Sequence, residues 1–307
     1  MATKTSTKQV AGVLPVFQTP FHPDETIDYE TLVRELDWLL EAGSDGVVVA
    51  MVSEVLRLTE TERRVMAEHV CRHMGDRGVV VVSVGAESAF VAEELSRHAE
   101  SVGAHALMAI PPVSIAVGED QIRQYYHRLA GATALPIIVQ DASGYVGRPM
   151  SIDLQAGLLA DLGDRIWFKP EANPIGPRLS ELRDATRRRA RVFEGTGGIA
   201  LVDSHRRGIV GTMPGADLIH AIVPLWAALE AKDMARVNQL APLLATLITL
   251  QSSLDAFLAI QKHLLVRQGV FQNTIVRGPV GYQLDPETRS EVDRLFDLLM
   301  DAVAAGS

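Results

Sequence analysis

The sequence predicts an α/β protein whose chain closes into a (β/α)8 barrel and then continues into additional C-terminal helices. Short runs rich in β-branched residues alternate with longer helical patterns, and eight such runs occur in series. Beyond residue 215 the pattern becomes almost entirely helical. A chain of 307 residues with 47% hydrophobic content can bury so large a core, and barrels of this size commonly form one domain.

The eight runs are nearly continuous apolar stretches that do not alternate with polar residues. This pattern is typical of parallel strands covered on both sides, with helices as the connections. The candidate strands are residues 13–17, 46–50, 79–84, 106–110, 136–140, 166–169, 191–194 and 209–213. An open doubly wound sheet is the alternative, but no Gly-x-Gly-x-x-Gly pattern follows the first run and the P-loop pattern is absent too.

Amphipathic helical patterns separate the strands. In residues 29–41, Leu32, Leu36 and Leu39 fall on one stripe, and Gly43 follows as a C-terminal glycine should. The other predicted helices are residues 59–74, 89–102, 119–130, 152–162, 178–188 and 199–207, followed by 218–230, 234–268 and 286–304.

No linker separates these segments, so we predict one domain. It begins with a flexible N-terminal tail of residues 1–10. The strands and helices of the barrel occupy residues 11–215. The last barrel helix and the C-terminal helical section of the same domain occupy residues 216–307.

Composition limits the classes of function. The net charge of −9 argues against nucleic-acid binding, which relies on a basic surface. Cys71 is the single cysteine, which excludes an internal disulfide and a multi-thiolate metal site and fits a reducing, cytoplasmic location. No secretory signal begins the chain, and no stretch is apolar for the roughly 18 residues of a membrane span. We therefore expect neither a nucleic-acid nor a membrane partner.

Several strand ends carry segments that resemble the dihydrodipicolinate synthase and N-acetylneuraminate lyase family of class I aldolases. The order and spacing of these segments carry the resemblance more than any single motif does, and they cover most of the chain. They are GVLPVFQTPF at 12–21, DGVVVAMVSE at 45–54, LPIIVQ at 135–140, IWFK at 166–169, EGTGG at 194–198 and GIVGTMP at 208–214.

The resemblance implies a barrel with its site at the C-terminal mouth of the strands. It also implies that Lys169 forms a Schiff base with a small 2-oxo acid, such as pyruvate or a sugar-acid derivative, without a metal or an organic cofactor. Family members are usually homotetramers, so we expect a homo-oligomer, either a dimer or a tetramer. The matching substrate-binding positions are Met51, Val52, Ser53, Gly197, Gly198 and Met213.

The local sequence around Lys169 is compatible with this role. A lysine amine attacks a carbonyl only when it is unprotonated, and Trp167 and Phe168 offer apolar surroundings that disfavour the ammonium form. Pro170 biases Lys169 toward an extended backbone, as at a strand end. Taken without the resemblance, an exposed lysine paired with Glu171 is the simpler interpretation.

The sequence departs from the family at the proton relay. Gln140 stands where the family has a tyrosine, and an amide is no general acid or base at ordinary pH. Met51 and Val52 replace the usual threonine pair, although the backbone amides of Val52 and Ser53 remain available to a substrate carboxylate.

Another group must therefore carry protons. Tyr145 is the main candidate, because it lies five residues beyond Gln140 in a loop flexible enough to fold inward, although an ordinary loop aromatic is an equal alternative. We accordingly assign Lys169, Gln140 and Tyr145 to the catalytic group. The other candidates for the proton relay are Asp141, Glu171 and Ser83.

One further charged residue falls near the same loop. Arg148 could pair with a second substrate carboxylate, but a surface arginine that caps the next segment is the alternative.

The sequence thus favours a Schiff-base lyase or hydro-lyase that acts on a small 2-oxo acid by aldol cleavage, aldol addition or dehydration. True dihydrodipicolinate synthase activity is disfavoured by the residues at four family positions, Met51, Val52, Val113 and Gln140. One alternative is a catalytically impaired family member that binds 2-oxo acids or regulates. A metal-dependent barrel aldolase is a weaker alternative, because Asp141 with Glu171 is too small a ligand set.

Overall fold

The computed structural model describes residues 9–306, which form eight β-strands and eleven α-helices. The strands are β1 (Gly12–Val13), β2 (Gly46–Val49), β3 (Val79–Ser83), β4 (Ala106–Ala109), β5 (Ile137–Asp141), β6 (Ile166–Pro170), β7 (Phe193–Glu194) and β8 (Gly211–Thr212). Each of them falls on or within one residue of a predicted strand.

The strands close into a parallel barrel. Strands β2 to β6 pair in chain order, and β8 lies between β1 and β7. Two isolated parallel pairs complete the ring, since Val16 pairs with Val48 and Phe168 pairs with Val192. The predicted (β/α)8 barrel is therefore confirmed.

The helices α1 to α7 connect successive strands, α8 follows β8 as the last barrel helix, and α9 to α11 follow the barrel. They are α1 (Tyr29–Glu41), α2 (Glu60–Met74), α3 (Ala89–Ser101), α4 (Glu119–Ala132), α5 (Ile152–Leu162), α6 (Ile175–Ala185), α7 (Leu201–Arg206), α8 (Ile219–Ala231), α9 (Met234–Ile248), α10 (Leu254–Arg267) and α11 (Pro286–Ala304). No helix in residues 9–306 is both long and apolar enough to cross a membrane.

Two helix predictions were wrong in their bounds. The single helix predicted over 234–268 is interrupted, because Ser253 adopts an extended backbone and its side chain accepts from the Ala256 N–H to start a new helix. The helix predicted over 178–188 lies three residues earlier and ends at Ala185, since Arg187 and Arg188 have positive φ angles of 53° and 64°.

The core has two layers because side chains alternate across each strand. Val48, Val81, Met108 and Ile138 point into the barrel with their equivalents on the other strands. Their neighbours along the strands, such as Val47, pack outward against the helices. The interior is a packed core, so a ligand can enter only at an end of the barrel.

Of the predicted flexible tail, residues 1–10, the structure describes only Gln9 and Val10. Residues 1–8 lie outside the described part of the chain, but Val10 is buried in the interior cluster. The Arg191 guanidinium donates to the Val10 carbonyl over 2.9 Å and is stacked over the Trp167 ring. These contacts hold Val10 against the barrel.

The helix α10 is joined to the barrel by a buried ion pair. Lys262 is fully buried, and its ammonium contacts a carboxylate oxygen of Glu54 and the carbonyl of Ile275. Glu54 follows a short 3-10 helix, Met51–Ser53, at the end of β2, and its second oxygen accepts from the Arg277 N–H. The pair therefore holds α10 over the mouth of the barrel.

Replacing Lys262 with methionine is expected to lower the free energy of unfolding by about 3–5 kcal/mol, because Glu54 would remain as an uncompensated buried charge. The double variant K262M/E54L should lose less free energy of unfolding than K262M alone, since it removes both charges. Urea unfolding followed by circular dichroism measures both values. Wild-type stability in K262M would contradict a structural role for the pair.

Candidate active site at the barrel mouth

A cavity opens at the carboxyl ends of the strands. Its walls come from the ends of β1, β2, β5, β6, β7 and β8 and from one face of α10. Chemistry in this fold is carried out at that end of the barrel, because residues after different strands converge there.

Lys169 enters the cavity from the end of β6. In the sheet register it lies beside Gln140 of β5. Lys169 is only 4% exposed, and its Nζ lies 2.7 Å from Oε1 of Glu171. The simple interpretation of Lys169 as an exposed surface lysine is therefore wrong, although its pairing with Glu171 is present.

Glu171 is also only 4% exposed and is held by two donors. Besides the Lys169 contact, the Gln140 Nε2 donates to its Oε2 over 2.8 Å. Burial raises the pKa of Glu171 above its ordinary value, while the Lys169 charge and the two hydrogen bonds act in the opposite direction. The carboxyl can therefore hold a proton more readily than an exposed glutamate can.

Gly195, just after β7, makes room for this pair. A Cβ at this position would lie 2.7 Å from Cε of Lys169 and 2.9 Å from Oε1 of Glu171. Both distances are shorter than ordinary contacts between such atoms. A glycine is therefore required for Lys169 and Glu171 to lie as they do.

Tyr145 covers one side of the cavity. A turn after β5 brings it inward, with its N–H donating to the Ala142 carbonyl over 2.8 Å. Its ring packs edge-on against Phe257, 5.6 Å between centroids. Burial raises the pKa of Tyr145, and the nearby charges of Glu171 and Glu194 raise it further. The phenol stays protonated and can donate a hydrogen bond, but it is a poor base.

Glu194 shapes the loop after β7. Its Oε1 accepts from the Thr196 N–H over 2.6 Å, and its Oε2 accepts from the Thr212 hydroxyl over 2.7 Å. These contacts join β7 to β8 and fix the glycine-rich turn. Gly197, with a φ of +71°, reaches the cavity in that turn.

The 3-10 helix Met51–Ser53 lines the side of the cavity near β2. Ser53 is turned away from it, because its hydroxyl donates to the Phe17 carbonyl over 2.7 Å and its N–H donates to the Ala50 carbonyl over 2.9 Å. Met51 and Val52 do line the cavity. Because both of these side chains are apolar, a polar contact to a ligand on this side must come from backbone N–H groups or from side chains of another element.

Most of the residues predicted for the site do meet at this cavity, namely Lys169, Gln140, Tyr145, Met51, Val52, Gly197 and Met213. Two do not. Ser53 is engaged as described, and Gly198 faces the helices, since a Cβ there would lie 3.1 Å from Leu244.

Of the substitute proton carriers, Tyr145 and Glu171 line the cavity, whereas Asp141 and Ser83 do not. Asp141 accepts from the N–H groups of Ser143 and Met150 and so shapes the loop after β5. Ser83 is not among the cavity-lining residues. Arg148 lines a separate depression together with residues 111–117, and its predicted contact with a substrate is not supported.

Sequence reasoning missed the contribution of α10. Leu254, Phe257 and Gln261 of this helix line the cavity. Their spacing of three and four residues places them on one helix face, and a glutamine on an otherwise apolar face was the available signal. Without the fold, nothing in the sequence connects that face to strand ends more than 40 residues earlier.

Comparisons with known proteins agree with this architecture. The sequence model of the dihydrodipicolinate synthetase family matches residues 9–297. The L-2-keto-3-deoxyarabonate dehydratase of Azospirillum brasilense is 30% identical over 302 residues, which cover 94% of each chain.

Solved structures extend the likeness. The dihydrodipicolinate synthase of Rhodopseudomonas palustris has a TM-score of 0.86 at 25% identity and covers 94% of this chain and 98% of its own. A prophage protein of the same family from Escherichia coli K12, solved in complex with pyruvate, has a TM-score of 0.88 at 22% identity and covers 95% of this chain and 99% of its own.

Replacing Gly195 with alanine is expected to separate Lys169 from Glu171 beyond about 3.2 Å, the upper end of a normal hydrogen bond, because the new methyl group occupies the space of the lysine stem. A crystal structure of G195A measures this distance. G131A is the matched control, since no atom lies within 4 Å of a Cβ at that helical glycine. An unchanged contact in G195A would contradict the tight packing described here.

Proposed function

Because the chain belongs to the dihydrodipicolinate synthetase family, we propose that it is a Schiff-base lyase that removes water from a 2-oxo-3-deoxy sugar acid. Lys169 is the nucleophile, and Glu171 carries the protons. The buried contact between these two side chains supports the proposal most directly. It pairs an amine with a proton acceptor of raised pKa inside the cavity.

The first step is activation of the amine. Two opposite charges in a buried site carry a desolvation penalty, which a proton transfer from Lys169 to Glu171 relieves. The transfer leaves a free amine, and the carboxylic acid can then protonate the oxygen of the substrate carbonyl. Attack by Nζ on that carbon gives a carbinolamine, and loss of water gives the protonated imine.

The second step breaks the carbon–oxygen bond of the substrate. The positive imine nitrogen withdraws electrons, so the ionised Glu171 can remove a proton from C3 and leave an enamine. The enamine electrons then expel the C4 hydroxyl, and the proton that Glu171 now holds leaves with it as water. Hydrolysis of the resulting imine releases the product and frees Lys169. The iminium is the electron sink, so these steps require no metal or organic cofactor.

Glu171 is the best candidate for the proton carrier because of its neighbours. The Gln140 amide cannot exchange a proton at ordinary pH, and its N–H group is used to hold Glu171. The raised pKa of Tyr145 leaves its phenol protonated. In this proposal Gln140 orients Glu171, while Tyr145 donates a hydrogen bond to a substrate oxygen.

The similarity to the A. brasilense dehydratase supports dehydration over aldol cleavage. Aldol cleavage by the same imine remains the second candidate, and it differs in that the bond between C3 and C4 breaks. The alternative of a catalytically impaired binding or regulatory protein is less well supported, since Lys169 keeps a buried proton acceptor.

Borohydride reduction in the presence of pyruvate is expected to attach pyruvate to Lys169 and to none of the other four lysines, as read by peptide mass spectrometry. K169R should give no adduct, because a guanidinium does not form the imine. K232R is the matched control, since Lys232 is exposed at the end of α8, and it should label like the wild type. A wild-type protein without an adduct would overturn the proposed function.

Replacing Glu171 with glutamine is expected to lower the turnover of L-2-keto-3-deoxyarabonate about 10²–10⁴-fold, the usual contribution of a general acid–base group. Adduct formation with pyruvate should slow as well, because Glu171 also takes the proton of Lys169 in the first step. The control D217N removes a buried carboxyl that does not line the cavity, and it should keep its turnover. Equal turnover in E171Q and the wild type would sink the assignment of Glu171.

The pH profile provides a second readout of Glu171. When Glu171 and Lys169 are both protonated no free amine exists, so kcat/KM falls on the acid side. Because burial raises the pKa of Glu171, that limb should lie above the ordinary value of 4.5. The same limb should weaken or disappear in E171Q.

A further inference from the structure

Gln261 has an unused pair of donors facing the cavity. It lies on α10, is only 1% exposed and is one of the residues that line the cavity. Its Oε1 accepts from Nε2 of Gln18. Within residues 9–306 its Nε2 makes no hydrogen bond. The Nε2 keeps some exposure, unlike the fully buried Oε1 of Gln18, so a ligand in the cavity can accept from it.

The position of Gln261 is opposite the Lys169–Glu171 pair. A Cβ on Gly215 would lie 2.1 Å from the Gln261 Nε2, so the amide rests against the backbone after β8. Gly215 in turn pairs with Val16 after β1. In a ring of eight strands these positions lie across the mouth from β5 and β6, which carry Gln140, Lys169 and Glu171.

The two sides of the cavity differ in charge. Glu171 and Glu194 lie on the side of β6 and β7, and both raise the pKa of Tyr145. A substrate carboxylate on that side would meet like charge. On the other side Met51 and Val52 offer no side-chain donors, so Gln261 is the polar side chain available there.

We propose that Gln261 binds the carboxylate of the 2-oxo acid through its Nε2 and thereby selects substrates with an acid group next to the ketone. The inference rests on the proposed function, because it deepens the assignment of the same site. Gln261 compensates for the hydroxyl pair that is missing at positions 51 and 52.

Gln18 acts as a positioning residue for this contact. It is completely buried and does not line the cavity. Its side chain donates to Gln261, and its backbone N–H donates to Oε1 of the buried Glu35 over 2.9 Å. Because the Gln261 oxygen is occupied by Gln18, the Nε2 end of the amide is the end left for a ligand.

The test compares two probes that differ in the carboxylate. Borohydride trapping on Lys169 is titrated with pyruvate and with acetone, a ketone that has no acid group. Q261L should raise the half-saturating concentration of pyruvate about 10- to 100-fold, the range for loss of a hydrogen bond to a charged group. The half-saturating concentration of acetone should stay within about twofold of the wild type, because acetone has no carboxylate for Gln261 to bind.

Three further variants keep the test independent of misfolding. Q261E preserves the side-chain shape and the acceptor for Gln18. Its negative charge should weaken pyruvate binding at least as much as Q261L does. Q18L should also raise the half-saturating concentration of pyruvate. Q155L is the matched control, because Gln155 is a buried glutamine that donates to the Met150 carbonyl away from the cavity, and it should leave both probes unchanged.

Each result decides the inference. Equal half-saturation by pyruvate in the wild type, Q261L and Q261E overturns it while leaving the Schiff base intact. Equal weakening of pyruvate and acetone also overturns it, since that result indicates damage to Lys169. Failure of the wild type to trap pyruvate overturns the proposed function and this inference together.

Discussion

Lys169 and Glu171 stand two positions apart at the end of β6, separated by Pro170. Alternate residues of an extended chain point to the same side, so an amine and a carboxyl at this spacing must share one space. Both side chains are buried, and neither could remain there without the other. The cavity walls, the glycine after β7 and the glutamine on β5 are all arranged around this contact.

In the proposed function, the departures from the family pattern compensate for one another. The glutamine that stands where a tyrosine is usual cannot move protons, yet it lies beside Lys169 in the sheet register and binds the free oxygen of Glu171. Met51 and Val52 remove two hydroxyl groups, while Gln261 brings amide donors from α10. Each change viewed alone weakens the site. Together, these differences place the polar groups of the site on other elements of the same barrel.

The sequence predicted the fold well because periodicity is local. Eight apolar runs and the helices between them could be located without tertiary information, and errors arose where side-chain caps or positive φ angles decide a boundary, as at Ser253 and Arg187. The strand-end residues that line the cavity were predicted through their family segments. Gln261 was not, because its role depends on how α10 folds back over the barrel. The homo-oligomer and the cytoplasmic location stay predictions.

The buried Lys262–Glu54 pair fixes α10 to the end of β2. Lys262 directly follows Gln261, the glutamine that faces the cavity. A helix anchored in this way can exchange residues on its inner face without disturbing the strands. Under the proposed roles, substrate choice and bond chemistry are encoded in separate parts of the chain. Substitutions confined to the inner face of α10, in evolution or in a mutant library, would change which substrates bind. The Lys169 amine and the Glu171 carboxyl would stay in place.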